Sequence, residues 1–216
     1  MKQSFLLIAL AALLVATAAA KDKAATETNL PPEQTEAKYT AAIEGRTADI
    51  LKILALTDAD KTAKVHDAII AQYRALKAWH DENDARLKTS AKDTNAVAQI
   101  RASLKTVHDA FIAKLSESLT PSQVEQVKDK MTYGKVQFTY AGYMAAYPNL
   151  AEEHKQKILE LLKQAREAAM DGGSAEEKTA VFQKCKGKIN NYLSKQGIHP
   201  EKKNKMSQPE TNSPAK

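Results

Sequence analysis

Apolar residues recur three and four positions apart along most of this chain, and the interruptions of that rhythm mark where one helix stops and the next begins. The longest uninterrupted case is Val97, Ile100, Leu104, Val107, Phe111 and Leu115, which predicts an amphipathic helix over about Asp93 to Ser116. Ahead of it, Val65, Ile69, Tyr73, Leu76 and Trp79/His80 form the stripe of a long helix opening at Leu56-Thr57-Asp58-Ala59-Asp60. Thr57 is placed to cap that helix, Asp60 to sit at the third helical position and Leu56 to staple the first turn. An earlier helix, about Glu36 to Ala55, places Ile43, Ile50 and Ile53/Leu54 on one side. The second and third stripes should pack against one another as an antiparallel pair.

Further along, Leu119-Thr120-Pro121-Ser122-Gln123 combines a capping Thr, a Pro at the first helical position and a Gln at the third, so a short helix to about Thr132 is expected. Two more helices follow, about Ala151 to Met170 and Ala175 to Lys195. The second is introduced by Asp171-Gly172-Gly173 and a Ser174-to-Glu177 box and is stopped by Gly197. Tyr133 to Pro148 fits two periods at once: Val136, Phe138 and Tyr140 alternate like a strand, whereas Tyr133, Tyr140 and Tyr147 recur like a helix. A lone strand would have no partner, and Gly134 and Gly142 lie inside, so a bent connection followed by a short helix is the expectation. Three helix starts, Leu56-Thr57-x-x-Asp60, Leu119-Thr120-x-x-Gln123 and Leu150-Ala151-x-x-His154, share one loose pattern, which capping alone can produce.

The fold class that follows is all-α, a single-domain bundle of about five to seven helices. It should span residues 36–197, between a flexible lead-in over 21–35 and a disordered tail over 198–216. Residues 1–20 read as a secretory signal, with Lys2, an apolar run from Phe5 to Val15 and Ala18-Ala19-Ala20 before Lys21. That run is too short to span a bilayer, and no later segment is free of charge for long enough, so the expected location is periplasmic or extracellular without a membrane span.

A net charge of +6 changes this picture little, because the lysines are interleaved with Asp and Glu as on a solvated helix surface. Together with export it argues against nucleic acid as a partner. Cys185 is the one cysteine, so the chain cannot form an internal disulfide.

The sequence contains no Gly-rich phosphate loop, nucleophile elbow or Cys-x-x-Cys motif, so no catalytic residue and no cofactor are assigned. His66-Asp67, His80-Asp81 and His108-Asp109 resemble metal-ligand pairs. However, His66 and His80 are separated by about 21 Å of helix, and no metal site is expected. The candidate ligand contacts are instead polar and aromatic. Trp79, the one Trp, stands beside His80, Asp81 and Asn83, where an aromatic face could stack on sugar C–H groups while Asp and Asn fork onto hydroxyls. Tyr133 and Tyr140 belong to a tyrosine-rich bend. Asn190 and Asn191 lie mid-helix, where Asn is a poor helix former and calls for a partner, either a backbone carbonyl or a ligand.

Trp79-His80-Asp81, Lys128-Asp129-Lys130-Met131-Thr132-Tyr133-Gly134, Tyr147-Pro148-Asn149-Leu150, Ala165-Arg166-Glu167-Ala168-Ala169-Met170-Asp171 and Lys188-Ile189-Asn190-Asn191-Tyr192-Leu193 occur in this order. Taken together they resemble a family of exported bacterial proteins catalogued as domain of unknown function 3826, over about Gly45 to Gly197. The resemblance implies export, a shared fold extent and sugar binding, and it carries no catalytic residues. Leu119 to Gln123 is also similar to the motif of small periplasmic helical chaperones and envelope-stress sensors. The preferred expectation is therefore a non-catalytic binding protein whose partner is a carbohydrate or similar polyhydroxylated ligand. The alternative is a helical chaperone whose partner is an unfolded protein.

Overall fold

The computed structural model describes residues 32–200, so the expected signal over 1–20, residues 21–31 of the expected lead-in and residues 201–216 of the expected tail lie outside the described residues. Those residues form seven α-helices and no strand: α1 Pro32–Leu54, α2 Ala59–Thr89, α3 Thr94–Ser116, α4 Pro121–Met131, α5 Lys135–Ala146, α6 Glu152–Met170 and α7 Ala175–Lys195. The chain separates into two compact units, residues 1–47 and 48–216, and α1 runs from the first into the second. In the first unit Thr47 is buried and donates its hydroxyl to the Ile43 carbonyl at 2.8 Å. α1 begins at Pro32, four residues before the predicted start, because a proline at the opening position loses no helical hydrogen bond.

In the second unit the helix ends follow from local chemistry. Asp58, not Thr57, caps α2: its carboxylate accepts the Lys61 N–H at 2.7 Å. Asp93 closes the link to α3, donating its own N–H to the Ser90 carbonyl and accepting from Asn95 and Ala96, so α2 and α3 run antiparallel. At α4 the Thr120–Gln123 box is complete in both directions. Ser174 caps α7 through the Glu177 N–H, while the Glu177 carboxylate turns back to the N–H of Gly173 rather than of Ser174. Ala151 makes no side-chain cap at α6. The three loosely similar starts therefore differ, one capped by Asp58, one by the Thr120 box and one without a side-chain cap, and no shared device underlies them.

The ambiguous Tyr133 segment resolves into a tight turn and a helix. Tyr133 and Gly134 are consecutive left-handed residues, at φ 60° and 62°. Their N–H groups bond back to the Lys130 and Asp129 carbonyls, closing α4 and releasing the chain directly into α5. A left-handed non-glycine residue costs about 1 to 2 kcal/mol, so Tyr is an unusual residue at this turn.

The core of the second unit lies where α6 and α7 pack together and receive α5. Ile158, Leu162 and Ala169 from α6 meet Phe182, Ile189 and Leu193 from α7, with Val136 and Tyr143 of α5 against them. Cys185 is buried there and donates its thiol to the Leu161 carbonyl, and burial pushes its pKa up. α2 and α3 form the other close pair, and α4 is packed against both α3 and α6.

Candidate functional site

Successive residues of a helix are rotated by about 100°, so the four neighbours singled out at Trp79 cannot all face one ligand. Trp79 and Asn83, one turn apart, share the buried face of α2. The Trp79 indole N–H donates to Ser103 Oγ of α3 at 2.8 Å, and that hydroxyl donates to the Ile100 carbonyl. Asn83 donates its amide to the Trp79 carbonyl at 2.9 Å and accepts from Arg86 at 2.8 Å.

These residues form one wall of a groove of about 470 Å³ between α2 and α3. It has Trp79, Ile100 and Val107 as an apolar floor and Glu82, Arg86, Ser90 and Gln99 as a polar rim. Trp79 is only 8 % exposed, so it offers the groove an edge rather than an open stacking face.

The other predicted contacts lie elsewhere. Asp81 is exposed and pairs with Lys77 one turn earlier on α2. His80 turns toward the α6–α7 link, with Nδ1 2.9 Å from Asp84 Oδ1 and Nε2 2.8 Å from the Asp171 carbonyl. Tyr133 is half exposed at the α4–α5 turn, and Tyr140 packs on the α6–α7 core. The partner of Asn190 is the Tyr143 hydroxyl, which donates to it at 2.8 Å and also reaches the Lys186 carbonyl. Burial raises the pKa of that hydroxyl to about 12. Asn191 is exposed on α7. The eight candidates thus divide among several places, and the groove keeps Trp79 and Asn83.

Sequence reasoning missed a seam of buried charge that ties α3, α4 and α6 together. Arg166, 3 % exposed in its side chain, donates to Asp129 and Glu125 of α4 at 2.6 Å each and to Glu167 at 3.2 Å. Glu167 also meets Lys128 at 2.9 Å and His108 of α3 at 3.5 Å, while His108 Nδ1 lies 2.8 Å from Asp171. The hydrogen bonds to Asp171 and Glu167 raise the His108 pKa to about 9. Burial alone would raise Glu167, but its bonds to His108 and Lys128 prevail and hold it at about 2. Burial likewise opposes ionisation of Glu125, and Arg166 outweighs it. Lys178 of α7 is buried and donates to the Met131 carbonyl at the end of α4. These groups face one another rather than a cavity, so the seam reads as a fastening between helices. Its only sequence signal was the acidic and basic residues at the ends of Lys128–Gly134 and Ala165–Asp171, which have no period of their own.

A third group sits where α2 meets the α6–α7 link. One ligand atom each from His80, Asp84 and Glu177 lie within 4.8 Å of one another, a set able to hold a metal ion. The spacing of His66 and His80 and the lack of a His-x-x-x-His pair argue against a metal shared between histidines, and neither bears on carboxylates of α2 and α7 that converge on one histidine.

A smaller groove of about 320 Å³ lies between Tyr147–Ala151, His154 and Ile198–His199. Its His154 Nδ1 is 2.7 Å from the Tyr192 hydroxyl, and its walls carry fewer polar groups.

The described residues are those of an all-α helical protein. The chain is a member of the family described as Protein of unknown function (DUF3826), whose model matches residues 40–210. No curated protein matches the chain.

Proposed function

We propose that this chain is an exported, non-catalytic binding protein for a carbohydrate or similar polyhydroxylated ligand, held in the groove between α2 and α3. The observation that supports this reading most is the composition of that groove, an apolar floor of Trp79, Ile100 and Val107 beneath a rim of Glu82, Arg86, Ser90 and Gln99. A sugar ring has the same two-sided chemistry, with C–H faces for the floor and hydroxyls that both donate to Glu82 and accept from Arg86. Asp81, His80, Tyr133, Tyr140, Asn190 and Asn191 have no part in it. The chaperone alternative loses its particular support, because the Leu119–Gln123 pattern is consumed in capping α4.

Trp79 is the one tryptophan, so its emission, excited selectively over the tyrosines, reports on the groove wall, and a chelator in the buffer keeps cations from the neighbouring His80 ring, 5.0 Å away. Titration of the mature protein with a panel of oligosaccharides should produce a saturable change in Trp79 emission for at least one of them. Arg86→Ala should weaken that binding about tenfold, since a hydrogen bond to a charged group contributes about 1.5 kcal/mol. Binding with no change in Trp79 emission and no loss in Arg86→Ala would move the site elsewhere. A panel without any binder would end the carbohydrate reading.

A further inference from the structure

We propose that His80, Asp84 and Glu177 form a binding site for a first-row divalent cation of the zinc type, with His80 Nδ1 and one oxygen from each carboxylate as ligands. The proposal uses a face of α2 outside the groove and does not depend on the sugar reading.

The argument starts from hydrogen-bond arithmetic at the imidazole. His80 Nε2 lies 2.8 Å from the Asp171 carbonyl oxygen, which can only accept, so Nε2 carries a proton. In a neutral ring Nδ1 is then a lone pair. It faces Asp84 Oδ1 at 2.9 Å, and a carboxylate also only accepts. A ligand atom of Glu177 completes the cluster within 4.8 Å. The 2.9 Å contact between Nδ1 and Asp84 requires something positive between them, either a proton on Nδ1 or a cation. Neutral His80 with two carboxylates carries a charge of −2, which a divalent ion neutralises and a single proton does not.

The surroundings hold these ligands in the arrangement metal sites use. A metal-ligating His almost always donates its other N–H to a carbonyl or carboxylate, which fixes tautomer and ring plane, and Asp171 does that here. The Glu177 carboxylate is oriented in turn by the Gly173 N–H at 2.8 Å. The link is also shaped around the ring: a Cβ at Gly173 would lie 2.9 Å from His80 Cγ and Cδ2. One imidazole nitrogen with two carboxylate oxygens suits Zn²⁺ or a neighbouring first-row ion, whereas Mg²⁺ and Ca²⁺ favour sets made of oxygen alone. Asp84 is half-buried and Glu177 exposed, so water can fill the remaining coordination positions.

The test is calorimetric titration of the chelator-treated full chain with Zn²⁺, followed by ¹H–¹⁵N spectra of the histidine side chains. One equivalent should bind, and Asp84→Asn and Glu177→Gln should each weaken binding about tenfold or more, with His80→Gln losing about a hundredfold. In the spectra His80 Nδ1 should shift to a metal-bound position while Nε2 keeps its proton. If His80→Gln does not fold, the spectra of the unmodified protein and of Glu177→Gln decide the matter. Absence of stoichiometric binding, affinity unchanged in Asp84→Asn and Glu177→Gln, or a shift confined to His66, His108, His154 or His199 would each overturn the assignment.

Discussion

The α6–α7 pair and the α2–α3 pair are both helices joined by a short polar link, yet α3 buries far less of its stripe than α2, α6 or α7. α6 buries Ile158, Leu162, Ala165, Arg166, Ala169 and Met170, and α7 answers with Lys178, Phe182, Cys185, Ile189 and Leu193. α3, with the most regular apolar period in the chain, buries only Ile100, Phe111 and Leu115; Val97, Leu104 and Val107 remain partly open. The difference teaches that a period identifies the face of a helix and says nothing about what covers it. α6 is covered by α4, α5 and α7, whereas α3 meets chiefly α2 and α4, and of its partly open stripe Val107 lines the groove beside Ile100.

A pair of truncations tests that contrast with the largest effect. Leu162 is fully buried, so Leu162→Ala should destabilise the protein by about 2 to 5 kcal/mol through lost transfer energy and a cavity. Leu104 is only partly buried, and Leu104→Ala should cost about 1 kcal/mol, although its place in the sequence pattern is the more regular of the two. Urea unfolding of both variants measures the difference. Equal losses would mean that α3 is as closely covered at Leu104 as α6 is at Leu162, and the contrast between the two helices would fall.

The same contrast explains what was legible in the sequence. Helix existence and most boundaries were, because capping residues act within one turn: Thr120, Ser174 and Gly197 each do locally what their identity implies. The cap of α2 was misassigned by one residue because Thr57 and Asp58 are both competent and only the backbone decides between them. The candidate site was legible only at Trp79 and Asn83, which share a face at the one-turn spacing. The grouping of His80 with Asp84 and Glu177, and of His108 with Glu167 and Asp171, depends on which helices become neighbours, and no local pattern encodes that.

The charged seam joins the two regions, since His108 belongs to α3, Glu167 to α6 and Asp171 to the C-terminal cap of α6. Its contribution should therefore depend on pH in a direction fixed by the shifts. The His108 pKa is raised in the folded state to about 9, so its stabilisation is complete below the unfolded value of 6.5 and is lost as pH rises through about 9. The Glu167 pKa is lowered to about 2, so its stabilisation is present above 4.5 and is lost as pH falls toward about 2. Stability should form a plateau between pH 4.5 and 6.5 and decline by about 1 to 2 kcal/mol by pH 9.5, after allowance for solvent screening at a half-buried site. Denaturant unfolding at pH 6, 8 and 9.5 reads this out, and His108→Gln should shrink the alkaline decline. A flat profile over that range would remove the seam as a link between the regions.

The smallest effect concerns the open pair alone and separates two adjacent residues. Asp58 accepts the Lys61 N–H and its backbone carbonyl takes the Thr62 hydroxyl, whereas Thr57 lies outside the helix with no cap bond. Removing a capping side chain costs about 1 kcal/mol, partly by freeing an N–H and partly by removing negative charge from the positive end of the helix dipole. Asp58→Ala should therefore destabilise by about that amount, while Thr57→Ala should fall within about 0.5 kcal/mol of the parent. Because α2 carries Trp79, Asn83, His80 and Asp84 near its other end, roughly 30 Å away, neither change should alter ligand or metal binding by itself. Comparable losses in the two variants would show that the first turn of α2 is set by the Leu56-Thr57 pattern after all, and the helix start would have to be redrawn one residue earlier.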